Sequence, residues 1–395
     1  MPSITELPCE IVAAILENLD HLRFLAPAAL ACRHFYTSFK ESHGVEVSIL
    51  RRQITPDVLP YSVALMEAAR LPRPLTASAV RTLLDNLYNQ PAGVAARLPK
   101  FPKALIKKMG RTHDAIHTLA RSFARSALRG ISPQSASSTS INLSPSEYFR
   151  FCSAFYRAEM FYKLFQGPAF EDNMHAALFF SRHPPWENEQ LGCIYEYLEA
   201  KFAAASFDVV AHDVLFGELS IDYLRTAEAE DNEWRQTWLS HGIEFVYELS
   251  IARCYDAKRR MLESALDLDD VRVNLPEELR ALYAGFDTRT IGQHSEEELH
   301  SIAPRPRDRP KGSMDPGPYQ SWRNANSDST LEESVMFNDK AWLRERAYVF
   351  WDRDRMLKLK HEDGFGQDPG SKPAYTDQDY QDMLESFEKR SRIWQ

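Results

Sequence analysis

The stretch from Ser144 to Phe165 constrains the fold more than any other. Ser144-Pro145-Ser146-Glu147 has the form of a capping box, with Ser144 as N-cap, Pro145 at N1 and Glu147 at N3. Behind it come Tyr148, Phe149, Phe151, Cys152, Phe155, Tyr156, Met160, Phe161, Tyr162, Leu164 and Phe165. Spaced this way, they cover nearly the whole circumference of a helix. Each large apolar side chain gains about 1.5–3 kcal/mol only on burial, so the helix must be walled in by others. A ligand-binding aromatic cage is the competing reading of the same residues, and core packing is the simpler one.

The remaining chain supplies walls of one kind. Val58 to Leu71 reads as a helix with Pro60 in its first turn and Leu59, Val63, Met66 and Ala69 on one face. Thr76 caps the next, which carries Val80, Leu83, Leu84 and Leu87. Ala169 to Ser181 is expected to be helical up to Arg182-His183-Pro184-Pro185. Trp186 to Ala205 follows, with Leu191, Ile194, Leu198 and Phe202 inward, and the pattern continues through 206–217, 219–229 and 231–265. Trp234, Trp238, Phe245, Leu249 and Ala252 mark the inner face of the last segment, which Gly242 interrupts. Two shorter helices begin near Asn274 and at Ser295, whose partner Glu298 completes another capping pair. Leu331 to Lys358 reads as helix and includes the patch Ala347-Tyr348-Val349-Phe350-Trp351, expected to dock on the body. A final helix starts at Thr376. No Val/Ile/Thr alternation at period two, hairpin signal or βαβ rhythm is present, so the predicted class is all-α. Leucine-rich, WD-type and Kelch periods are missing.

The N-terminus has a character of its own. Pro8 suits a first helical turn, Thr5 or Glu6 is placed to cap it, and Glu10 sets a carboxylate near the positive end of the dipole. Ile11, Val12, Ile15, Leu16 and Leu19 repeat at three- and four-residue intervals and form one apolar stripe. A helix this short is not stable alone in water. Leu22, Leu25, Leu30, Phe35 and Phe39 are placed to close a small hairpin or trio against it. So small a unit must lean on the rest of the chain or on a partner. Val45 to Ile54 reads as a short helix, although Val45-Glu46-Val47 suits a strand equally well.

At these residues the sequence resembles the F-box. The match is Leu7-Pro8-x-Glu10-Ile11-x3-Ile15-Leu16-x2-Leu19, followed by a Leu-rich segment ending at Cys32-Arg33-x-Phe35. Pro27 falls where the family runs its second helix, so that helix is expected to be short or to restart there. The motif's final Trp is absent. The resemblance implies docking on the small adaptor subunit of a cullin-RING (SCF-type) ubiquitin ligase through Leu7, Pro8, Glu10, Ile11, Ile15, Leu16, Leu19, Leu25 and Phe35. It also implies that the remainder recruits a protein substrate, that catalysis belongs to the assembled ligase, and that no cofactor is needed. Arg182-His183-Pro184-Pro185-Trp186-Glu187-Asn188-Glu189-Gln190 and Tyr348 to Arg353 resemble segments of helical F-box proteins of filamentous fungi. A helical interaction protein outside any ligase is the alternative on the same residues.

Charge is unevenly distributed. Residues 1–130 hold 17 Lys and Arg against 10 Asp and Glu, a net of +7, so the overall −9 leaves −16 for 131–395. The basic excess concentrates between Arg97 and Arg129, where Asp114 is the only acid and Lys100, Lys103, Lys107, Lys108 and Arg111 form a candidate patch. One reading is a solvated helix face that pairs with the acidic half. The other is a nucleic-acid surface or nuclear import signal, weakened by the scarcity of aromatics beyond Phe101 and Phe123.

The remaining motifs exclude more than they propose. Cys9, Cys32, Cys152, Cys193 and Cys254 are far apart and odd in number, so they are expected to pack as small hydrophobes. His294 and His300 fall on different helix faces, and His175, His183 and His212 with Asp213 lack ligand spacing, so no metal site is expected. No His-Glu-x-x-His, phosphate loop or nucleophile elbow occurs, and no catalytic residue is expected. No window of eighteen residues is apolar enough for a membrane span, and the acidic, Pro-interrupted start is unlike a secretory signal. An intracellular protein of cytoplasm or nucleus is expected. The predicted organisation is an F-box-like region (1–54), a helical segment with the basic stretch (55–131), a Ser-rich loop (132–143), an aromatic-rich body (144–303), a Pro-rich extended segment (304–330) and C-terminal helices (331–395).

Overall fold

The computed structural model describes residues 6–42, 44–132, 141–165, 178–210, 233–265, 274–302 and 315–359, with residues 365, 378, 381–382 and 385. The expected helices of 169–177 and 211–232, the Ser-rich loop over 133–140, the chain at 303–314 and the last helix fall largely or wholly outside these residues. The described structure is all-α: eighteen α-helices, no strand, and one lone bridge between Thr290 and Thr330. Two compact units divide the chain after Thr118.

The first unit opens with α1 (Cys9–Glu17), a tight turn at Leu22–Phe24, α2 (Leu25–Ala29), α3 (Arg33–Glu41) and α4 (Val45–Gln53). Pro8 stands at the N-cap of α1, one position before its expected place, with an extended ψ of 147°. Its ring fixes φ at −54° without consuming a needed N–H, so it takes the cap expected of Thr5 or Glu6. α2 is only five residues long with Pro27 at its centre, as the proline required. The choice at Val45 falls to helix, launched by Gly44 at φ +95°. Val12, Ala13, Leu16, Leu25, Val45 and Ile49 form the buried cluster of this trio, with Leu7, Leu19, Leu22, Phe35 and Phe39 packed around it.

The unit continues through α5 (Leu59–Ala68), α6 (Ala77–Asn89), α7 (Pro91–Ala95) and the first part of α8 (Lys103–Ile131). α5 is buried on nearly every side rather than on one face, because α6 and α7 both pack on it. Thr76 Oγ1 caps α6 by accepting from the Ala79 amide at 3.2 Å. Arg97 donates to both oxygens of Glu67, at 3.2 and 3.0 Å.

The second unit is arranged around α9 (Pro145–Phe165) and α10 (Pro185–Val210), which pack together. The capping box forms as read: the Glu147 amide donates to Ser144 Oγ and the Ser144 amide to Glu147 Oε2, both at 3.0 Å. Phe151, Phe155 and Phe161 are wholly buried. Phe151 stacks on Phe350 at 4.3 Å and meets Phe123 and Trp351 edge-on at 5.6 and 5.4 Å. Ring on ring leaves no cage there. Next come α11 (Glu233–Ser240), α12 (Ile243–Ile251), α13 (Tyr255–Ser264), α14 (Leu275–Ala281), α15 (Glu296–Ser301), α16 (Gly317–Ala325), α17 (Ala341–Glu345) and α18 (Arg353–Lys358).

Two expectations fail here. The segment expected to be extended through residue 330 contains α16, with Pro318 in its first turn, where no amide is missed, and Trp322 wholly buried. The supposed long helix over 331–358 is broken, because Ala347 takes φ +49° and the chain turns through Asp352. The patch is nonetheless buried, as read. Its freed carbonyls are satisfied from afar: Arg150 Nε donates to Phe350 O at 2.8 Å and Gln190 Nε2 to Val349 O at 2.9 Å.

Candidate docking surface

α1 divides its apolar residues between two faces. Its inner face carries Val12, Ala13 and Leu16, all nearly inaccessible, against α3 and α4. Its outer face keeps Ile11 49% and Ile15 42% exposed, with Pro8 and Glu10 open to solvent. Among the described residues, these two large aliphatics one turn apart are only about half covered, on a helix whose other side is already packed. Among the other candidates, Leu25 is buried, and Leu7, Leu19 and Phe35 are half-buried within the trio. The stripe read as one surface is therefore two.

The sequence reading also missed members of the exposed set. Leu30, expected to close the hairpin, is 71% exposed, and Phe24 and Tyr36 are exposed at 47% and 45%. Leu30 follows the five-residue α2, which ends before it carries this side chain inward. Only the brevity that Pro27 imposes on α2 hinted at this.

The trio is tied to α8 by a polar joint. Gln53 accepts from the Leu22 amide (3.3 Å) and donates to Gly110 O (3.0 Å) and Asp114 Oδ1 (2.9 Å). His21 Nδ1 lies 3.1 Å from the same Asp114 oxygen. α8 passes close to the trio at Gly110, where a Cβ would come within 2.8 Å of Leu22 Cδ1 and require that side chain to shift. His34 Nε2 meanwhile donates to Leu7 O at 2.8 Å and fixes the approach to α1.

His113 lies at the centre of this joint and is 1% exposed. Burial, with His117 and His21 nearby, pushes its imidazole down to about 3. A histidine kept neutral in the fold but free to charge in the unfolded chain stabilises above about pH 6.5, and that contribution is lost as the pH falls toward 3. Acidification from pH 7 to 5 is therefore expected to weaken the first unit, by up to about 1.4 kcal/mol per pH unit below the ordinary histidine value. Hydrogen exchange of α1–α4 amides reads this directly, and His113→Asn should flatten the dependence.

Of the basic candidates, Lys100, Lys103, Lys107 and Arg111 are exposed and Lys108 is half-exposed. Lys103 lies 3.4 Å from the buried Glu46 carboxylate and 4.8 Å from the centre of the Phe39 ring. Its charge is thus partly matched within the trio.

Among the described residues no group of histidine, cysteine and acidic side chains is arranged to hold a metal ion. His183 pairs with Glu187 at 2.7 Å, while His175, His212 and Asp213 lie outside the described residues. Cys152 and Cys193 are buried and Cys9 and Cys32 half-buried, but Cys254 is exposed at the N-cap of α13, contrary to a packing role. Among the described residues no helix is long and apolar enough to cross a membrane. No family model, curated protein or solved structure matches the chain.

Proposed function

We propose that this chain is an F-box-type substrate receptor that docks on the adaptor subunit of a cullin-RING ubiquitin ligase through the outer face of α1. The observation that carries this reading is the exposure of Ile11 and Ile15 beside a trio core completed by Val12 and Leu16. It falls within the stretch Leu7-Pro8-x-Glu10-Ile11 on which the resemblance to the F-box rests. The role is non-catalytic. The receptor holds a protein client near the ubiquitin-loaded enzyme, so its contribution is proximity. The cell interior, cytoplasm or nucleus, is the location this reading requires.

The test follows the division of faces. Ile11→Asp with Ile15→Asp places charge on the outer face only, so the helical circular dichroism of the intact chain should be retained. Co-purification with the adaptor should fall at least tenfold, since each aliphatic loses about 1.5–3 kcal/mol of burial in the complex. Leu7 and Leu16 are unsuitable targets, because both belong to the trio and their loss confuses unfolding with undocking. Undiminished adaptor binding by the double variant would remove the reading.

A further inference from the structure

We infer that the basic row formed by Lys100, Lys103, Lys107 and Arg111 is a second docking surface, shaped for an acidic polypeptide segment. The sequence runs from Asp85 to Asp114 without a single acid, while Arg97, Lys100, Lys103, Lys107, Lys108 and Arg111 accumulate between them. Lys103, Lys107 and Arg111 follow at four-residue intervals on α8, which places them about 6 Å apart along one side of the helix. Lys100 extends the row from the short turn at Leu98–Lys100 just before α8. All four are exposed. The helix is held in place, because Ile106, Met109, Ala115 and Ile116 are buried, and Gly110, seven residues after Lys103 and beside the row, is flanked by Leu22 and Gln53.

A rigid row of like charges repels itself, and cations four residues apart destabilise a helix by about 0.2–0.5 kcal/mol per pair. Within the described residues only Lys103 has an ion-pair partner, Glu46, so most of the row's charge is left for another molecule. A helix bearing carboxylates one turn apart presents them at the same 6 Å interval and complements the row charge for charge. A nucleic-acid strand fits less well. Phe101 is buried and the Phe39 ring lies beneath the Lys103 ammonium, so no free ring in the row can stack a base. The inference is independent of the adaptor reading, since it uses a different helix and different chemistry.

The probe is a fluorescein-labelled, Ala-rich peptide of about twenty residues with glutamate at every fourth position, titrated by anisotropy into the intact chain. Binding is expected, weakening as salt is raised, as exposed charge pairing requires. Lys100→Glu with Lys107→Glu and Arg111→Glu should weaken it at least tenfold at unchanged circular dichroism. Lys103 is left in place because its partner is buried. If the reversal variant fails to fold, the corresponding triple alanine variant decides, with a loss of several-fold expected. Equal affinity for parent and variant, no binding at low salt, or tighter binding of a single-stranded oligonucleotide than of the peptide would each overturn the inference. Adaptor co-purification by the same variant should be unaffected, which separates a failure here from a failure of the α1 reading.

Discussion

Arg344→Ala is expected to cost the second unit about 3–5 kcal/mol, because it strands buried carboxylates rather than merely deleting a contact. Arg344 and Glu189 are each 1% exposed. The guanidinium donates to Glu196 Oε1 at 2.6 Å, to Glu189 Oε1 at 3.3 Å and to Phe337 O at 2.7 Å. Glu189 also accepts from Tyr348 O–H at 3.1 Å and from the Met336 amide at 2.7 Å, so it cannot turn away to water when its cation is lost. Burial pushes the Glu196 carboxyl up to about 7, against the opposing pull of Arg344. Without the arginine, the Glu196 carboxyl becomes harder still to ionise. The penalty should therefore be larger at pH 8 than at pH 5, where protonation relieves it. All seven tryptophans lie beyond Thr118, so urea unfolding followed by tryptophan fluorescence reports on this unit alone. Adding Glu189→Gln and Glu196→Gln to the variant should recover most of the loss. A change below about 1 kcal/mol in the single variant would mean that the cluster is solvated and contributes little.

How much of this was legible in the sequence depends on the range of each interaction. Caps are local: Thr76 with Ala79, Ser144 with Glu147 and Ser295 with Glu298 each close over three residues, and each was readable as a short pattern. The all-α class was legible for the same reason, since helical periodicity repeats within a few turns. The candidate docking face was only half legible. Periodicity placed Ile11, Val12, Ile15 and Leu16 on one stripe, but α3 and α4 determine where that stripe divides, and their placement is a tertiary fact. The turn over Ala347–Asp352 was not legible at all. Its composition suits a helix, and what holds it otherwise is Arg150 and Gln190, about 160 to 200 residues away. Leu30 was misread because a run of apolar residues does not reveal where a five-residue helix ends.

Gly242→Ala should be nearly as damaging as the loss of Arg344, by an unrelated route. Gly242 sits between α11 and α12 at φ +95° and ψ −175°, a region that is essentially glycine's alone, and an alanine held there costs about 1–3 kcal/mol in strain. The site has no room to relax that strain. An added Cβ would come within 2.3 Å of Glu159 Oε2 and 2.8 Å of its Cδ. Glu159 reaches from α9 and is the acceptor for the Ile243 amide at 2.6 Å, while Lys163 Nζ stands 3.6 Å from its other oxygen. A carboxylate in this position caps the first turn of α12, whose free amides and positive dipole end offset part of the cost of burying it. Burial nevertheless raises its pKa above the ordinary carboxylate range. Pushing Glu159 aside would leave the Ile243 amide without its acceptor, about 1–3 kcal/mol more. The sum, about 2–6 kcal/mol, should appear as a lower urea midpoint by tryptophan fluorescence, with early amide exchange in α12. Glu159→Ala in the Gly242→Ala background separates the two contributions. If the clash dominates, the second substitution restores stability, and if backbone strain dominates, it makes the loss worse.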